Sequence, residues 1–142
     1  MIYHDDNMKE IINIAEQIAP YNISVIIVGE SGTGKEEIAK YIHKKSGRKN
    51  FVSVNCACLT DTLADSLLFG HQKGSFTGAI VSHIGYFEQA NNGTLLLDEI
   101  TTLPEKIQPK FLRALQNNEI IPIGGRPKKI NVRVNELETE AE

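Results

Sequence analysis

An α/β domain built on a mainly parallel sheet is the fold class the sequence predicts. Three observations carry it. Short β-branched or leucine-rich runs alternate with stretches of helical periodicity. The first such run, Ile23 to Val28, reads as a strand buried on both faces and leads through the glycine-rich segment Gly29 to Gly34 into a helical pattern. The run Gly93 to Asp98 is mostly apolar and ends in two carboxylates, Asp98 and Glu99.

The elements follow in order. Met8, Ile11, Ile12, Ala15 and Ile18 recur at helical spacing, so residues Asn7 to Ala19 read as an amphipathic helix, closed by Pro20 and Asn22. After the strand and the glycine turn, Ile38, Ala39 and Ile42 form the apolar face of a second helix that ends near Ser46-Gly47. Phe51 to Asn55 reads as a strand, and Leu63, Leu67 and Leu68 indicate a helix from Asp61 to Phe69. Periodicity then breaks between Gly70 and Gly85. Ile107, Phe111, Leu112 and Leu115 mark a helix from Glu105 to Asn117, in which Pro109 is admissible only in the first turn. Ile130 to Val134 is a fourth strand candidate. Residues 1–134 are therefore expected to form the folded core. Residues 135–142, with a glutamate at every second position, are expected to be a solvated, disordered acidic tail.

Length and composition set bounds. The 142 residues fit one compact domain, and 41% hydrophobic content is enough to fill one core. A net charge of −3 advertises no global attraction to nucleic acid, so no DNA-binding element is expected in this chain. No apolar run approaches the roughly 20 residues of a membrane helix, and the start does not read as a signal peptide. A cytoplasmic protein is expected. Cys56 and Cys58 are too close for an unstrained disulfide and lack the partners of a zinc site, so they read as two small, buried thiols in a reducing compartment. The four histidines show no metal-ligand spacing.

The glycine-rich segment carries the chemistry. Gly29-Glu30-Ser31-Gly32-Thr33-Gly34-Lys35 matches G-x-x-x-x-G-K, a phosphate-binding loop. Glycines let successive N–H groups converge on a phosphate, the helix N-terminus adds about half a positive charge, and Lys35 supplies a full one. The residue after the lysine is Glu36 and not the usual Ser or Thr, so it cannot be the usual hydroxyl ligand of Mg²⁺. Asp98 and Glu99 close an apolar strand, where the ligand of a parallel sheet gathers. Asp98 is then a candidate to hold Mg²⁺ through water, and Glu99 a candidate general base for an attacking water.

Five segments, in this order, resemble one family: GESGTGKE (Gly29 to Glu36), FVSVNCACL (Phe51 to Leu59), LLFGHQKGSFTGA (Leu67 to Ala79), GYFEQANNGTLLLDEI (Gly85 to Ile100) and FLRALQNNEIIPIGG (Phe111 to Gly125). Together they are similar to the AAA+ domain of bacterial enhancer-binding proteins, ATPases that activate sigma-54 RNA polymerase and include regulators of the two-component response type. The likeness runs from about residue 7 to 134, and GSFTGA is its most specific part. A glutamate after the lysine is also usual there.

The resemblance implies a P-loop NTPase fold of the AAA+ type, a three-layer sandwich. It implies ATP and Mg²⁺ as cofactors, bound through Gly29 to Glu36 (Walker A) and Asp98 (Walker B). It implies Glu99 as catalytic base and Asn55 as the switch asparagine that hydrogen-bonds it; read alone, Asn55 is better taken as a strand-end asparagine capping the next turn. Gly74, Ser75, Phe76, Thr77, Gly78 and Ala79 correspond to the loop that contacts sigma-54 in the polymerase holoenzyme, with Ser75 where the family usually has Ala. Residues 121–129 resemble a second loop that moves with the first, although Arg126 to Lys129 also reads as a solvated turn. His71 lies in the FGH stretch beside the contact loop. The family works as a homo-oligomer. Its next strand, trans-acting arginines and helical lid would follow Val134, so the strand Val25 to Val28 is expected to keep an unpaired edge. The function expected is the ATP-binding core of a sigma-54-dependent activator. The alternative is a truncated fragment that binds nucleotide or partner without hydrolysis. An unrelated P-loop NTPase would not account for GSFTGA.

Overall fold

The computed structural model describes residues 6–30, 34–60 and 63–139. Four strands form one parallel sheet: β1 (Val25–Gly29), β2 (Phe51–Asn55), β3 (Thr94–Asp98) and β6 (Arg133–Thr139), in the order β1-β6-β3-β2. The helices are α1 (Asp6–Ile18), α2 (Lys35–Ser46), α3 (Ala64–Phe69), α4 (Tyr86–Gln89) and α5 (Gln108–Asn117). Two short strands, β4 (Glu119–Ile120) and β5 (Lys128–Lys129), make a separate antiparallel hairpin.

The sheet has a helical layer on each side. On one side Ile12 and Ala15 of α1 and Ala19 just after it are buried, and Ala15 and Ala19 pack with Ile38 and Ile42 of α2, while Ala39 packs on Leu96 and Leu137. On the other side Leu95, Leu97, Val54 and Val134 meet Leu68, Phe69, Phe87, Ile107 and Phe111. The rings of Phe69 and Phe87 stack with centroids 5.4 Å apart, and Phe111 meets Phe87 edge-on. β3 is the most buried strand, which explains its unbroken leucines. Pro109 stands in the first turn of α5, where its missing N–H costs nothing; residues 105–107 before it form a 3-10 turn and not α-helix.

The C-terminal segment corrects an expectation. Residues 133–139 are not a tail. They form a central strand, with Leu137 between Ile27 of β1 and Asp98 of β3. Ile130 to Val132 precede this strand and do not belong to it. A glutamate at every second position is costly only on a covered face, and a period of two puts Glu136 and Glu138 together on one face. Arg133, Asn135 and Leu137 fill the buried face, and Asn135 Oδ1 accepts from Val25 N at 3.2 Å. Glu136 and Glu138 point to the other face, beside Ile26 and Val28, which are 59% and 60% exposed. Both glutamates stay half-buried at an open part of the sheet. Residues 140–142 lie outside the described residues. β1 is an edge strand, with no partner on its outer side among the described residues.

Candidate functional site

The C-terminal ends of β1, β3 and β6 converge with the N-terminus of α2 on one cleft. Gly34 precedes α2 with φ +84°, a left-handed conformation that glycine adopts without strain. It turns the chain so that Lys35 starts the helix and reaches back under the loop. Lys35 Nζ donates to Gly29 O at 2.8 Å and Glu138 O at 3.1 Å, and lies 3.5 Å from Thr139 Oγ1. Gly34, Lys35, Glu36, Asp98, Glu99 and Thr139 line a cleft of about 340 Å³. Ser31, Gly32 and Thr33 lie outside the described residues; the structure brings together the remaining phosphate-loop residues and the acidic pair.

Glu99 is held in an unusual conformation, φ 57° and ψ 49°, left-handed for a residue with a side chain. Such a backbone costs about 1–3 kcal/mol and marks functional positions. Here it is fixed on both sides. Glu99 N donates to Leu137 O at 3.3 Å, and its carbonyl accepts from Thr102 Oγ1 at 2.7 Å and Thr102 N at 3.1 Å. Asn55 stands opposite Asp98 in register. Its Oδ1 accepts from Ala57 N at 2.9 Å and caps the 3-10 turn at Cys56–Cys58. It makes no hydrogen bond to Glu99, so in this structure the capping reading describes its contact.

Charge in the cleft is predominantly negative. Burial pushes the Cys56 thiol up to about 12, and the carboxylates of Asp98, Glu136 and Glu99 add to the effect, so it is an inert thiol at neutral pH. Cys58, two residues on in the same 3-10 turn, is exposed, so the expectation of two buried thiols holds for Cys56 alone. Burial, then repulsion from Glu138, also raises the Glu136 carboxyl above its ordinary range. Among the described residues no cluster of three His, Cys, Asp or Glu could hold a metal ion unaided.

Two features of the cleft were missed from sequence. Thr139 and the carbonyl of Glu138 reach Lys35 because β6 runs on past Val134. The signal was available in the two-residue alternation of Asn135, Leu137 and Thr139 against Glu136 and Glu138. The second is the apolar groove beside the cleft, about 680 Å³, where Ile11, Ile14, Ile26 and Val28 adjoin Glu30 and Lys35.

The GSFTGA segment sits at the other end of α3. Gly74 and Gly78 have φ of +81° and +92°, and Gly74 N donates to Ala79 O at 2.8 Å. Ala79 is buried, and Phe76 is 43% exposed with its ring edge-on to His71 at 4.9 Å. His71 Nδ1 meets Ser66 Oγ of α3, and Nε2 meets Val81 O at 2.8 Å. In the second loop exposed Lys128 pairs with half-buried Glu88, and exposed Lys129 with half-buried Glu119.

The model of the sigma-54 interaction domain matches residues 1–139. The chain belongs to the sigma-54 interaction domain family. This sigma-54 interaction domain is 50% identical over 137 residues to the transcriptional regulatory protein FlbD of Caulobacter vibrioides, covering 94% of the chain and 30% of FlbD. It is 48% identical to the sigma54-dependent transcriptional activator SfnR of Pseudomonas putida, covering 94% of the chain and 37% of SfnR. The chain thus spans about a third of the length of these relatives. Among solved structures, NtrX from Brucella abortus in complex with ATP superposes with a TM-score of 0.87 at 31% identity, over 99% of this chain and 30% of that one. The P-loop NTPase domain of a sigma-54 transport activator from E. coli superposes with a TM-score of 0.63 at 19% identity, over 98% of this chain and 80% of that one, which speaks to the fold alone. The P-loop NTPase fold of the AAA+ type expected from the sequence is the fold observed. Among the described residues no helix is long and apolar enough to cross a membrane.

Proposed function

We propose that this chain is the ATP-binding core of a bacterial, cytoplasmic, sigma-54-dependent transcriptional activator, whose complete form couples ATP hydrolysis to remodelling of the polymerase holoenzyme as a homo-oligomer. The observation that carries this reading is the convergence of Lys35, Asp98 and Glu99 on one cleft at the strand ends. The oxygens around Lys35 Nζ are two backbone carbonyls and one hydroxyl, all of which phosphate oxygens can replace. Gly29 to Glu36 would cradle the phosphates, and the adjoining apolar groove suits a base. Asp98 would hold Mg²⁺ through water, and the metal when bound neutralises phosphate charge. Glu99 would take a proton from the attacking water, with Asn55 turning from its cap to restrain it. Gly74 to Ala79 would meet sigma-54.

A second reading, a module that binds nucleotide with little hydrolysis, is supported by Asn55, whose Oδ1 is engaged by Ala57 N and not turned to Glu99. Phosphate release per protomer separates the readings. The first reading expects phosphate release above background that Glu99→Gln lowers, whereas nucleotide binding with no release above background favours the second. Release unchanged in Glu99→Gln would refute the assignment of catalytic roles.

A further inference from the structure

The GSFTGA loop is seated on its neighbour. Gln72 N donates to Ile123 O at 3.0 Å and Ile123 N donates to Gly70 O at 2.9 Å, tying its base to the loop between β4 and β5. Above these bonds the side chain of Ser75 rests on Gly124. A Cβ added at Gly124 would lie 2.5 Å from Ser75 Cβ, and the backbone there has φ +72°, so the seat accepts glycine alone. His71 braces the loop from the other side through Val81 O and the Phe76 ring.

The fit is close in shape and poor in polarity. Among the described residues Ser75 Oγ in the seated loop and His83 Nε2 beside it are buried without a hydrogen-bond partner. A buried hydroxyl that forgoes its hydrogen bonds destabilises the state that buries it, and water satisfies it once the loop lifts. The seated and lifted states are thereby brought closer in free energy than apolar contacts at the same place would bring them. Alanine at this position would keep the contact with Gly124 and leave nothing unsatisfied.

We propose that Ser75 is a positioning residue of the partner-contact loop: its hydroxyl, buried against Gly124, unseats the loop often enough for a partner to capture it. This rests on the reading of Gly74 to Ala79 as the surface that meets sigma-54. A ligand that binds only the lifted loop sees its affinity reduced by the fraction lifted, so the seat sets the affinity.

The test uses hydrogen exchange of the Gln72 and Ile123 amides, whose bonds join the two loops. Ser75→Ala should slow their exchange by about tenfold, the effect of relieving one unsatisfied buried group. Gly124→Ala should speed it, because its methyl group displaces Ser75. Binding of purified sigma-54 factor, followed by fluorescence anisotropy, should weaken in Ser75→Ala by a factor similar to the slowing, with thermal stability equal or higher. Damage to the fold would lower affinity and stability together, so the opposite signs identify positioning. Unchanged or faster exchange in Ser75→Ala would overturn the proposal. If the wild-type chain fails to bind sigma-54 while Ser75→Ala still slows exchange, the seat stands and the partner-contact reading falls.

Discussion

Leu137→Ala separates a central strand from an acidic tail. Leu137 is 4% exposed and packs with Ala39 of α2 and Leu96 of β3, with Ile27 and Phe51 at the margin. Truncating a buried leucine costs about 2–5 kcal/mol, depending on how far the site collapses. Leu137 also borders the nucleotide cleft, so water can enter the space left behind. The loss should therefore fall in the lower half of that range, about 2–3 kcal/mol. Set against a domain stability of about 5–15 kcal/mol, this is a large shift. The control is Glu138→Ala, one residue on but on the opposite, open face, where the change should stay within about 0.5 kcal/mol. Urea unfolding reads both, as a lower midpoint at unchanged slope for Leu137→Ala. Equal midpoints for the two variants would mean that residues 133–139 are not a sheet strand and that the cleft lacks its floor.

Lys35→Ala should remove most ATP and ADP affinity by calorimetry while leaving the circular dichroism spectrum intact; equal affinity in both proteins would sink the phosphate-site reading. Glu99→Gln should keep nucleotide binding and lower phosphate release by about 10²–10⁴, the usual weight of a general base, whereas loss of binding instead would assign Glu99 to the pocket and not to chemistry. Glu136 gives a pH signature: because burial raises its carboxyl in the folded state, that state holds the proton more tightly than the unfolded chain. Stability should then fall as pH rises from the ordinary glutamate value, about 4.3, through the raised one, and Glu136→Gln should flatten that slope and be the more stable protein at neutral pH. A slope unchanged in Glu136→Gln would assign it to another group.

The phosphate loop, the acidic pair and the helices around them were legible because each rests on local chemistry: glycine before a helix, a lysine at its first turn, leucines between two helical layers. Boundaries shifted where local signals compete. Glu105 to Ile107 carry helical spacing, yet Pro104 and Pro109 hold them to a 3-10 turn. β6 was misread for a reason of geometry. The charge of four glutamates is visible in sequence, but the openness of the sheet face beside Ile26 and Val28 is a tertiary fact, and that openness lets half-buried carboxylates stay near water. Asn55 shows the converse. Its cap on Ala57 N is local and legible, whereas the hydrogen bond to Glu99 that the resemblance implies is not made in this structure.

Arg133 explains how the groove beside the cleft keeps its shape. It is 1% exposed and, among the described residues, has no carboxylate partner. An unpaired buried cation would ordinarily be prohibitive. Here the guanidinium donates to Ile18 O, Ala19 O and Ile23 O, at 3.1, 2.6 and 3.1 Å. Two of these carbonyls end α1, where the helix dipole places about half a negative charge and the last carbonyls lack intrahelical partners. Charge and hydrogen-bond demand therefore cancel together. Burial, with repulsion from Arg48, lowers the guanidinium pKa from its ordinary value. The consequence is positional. Arg133 opens β6 at the sheet centre, and through it the end of α1 is fixed to the strand whose far end, at Glu138 and Thr139, meets Lys35. One strand thus sets both the floor of the phosphate cleft and the placing of the helix that walls the apolar groove.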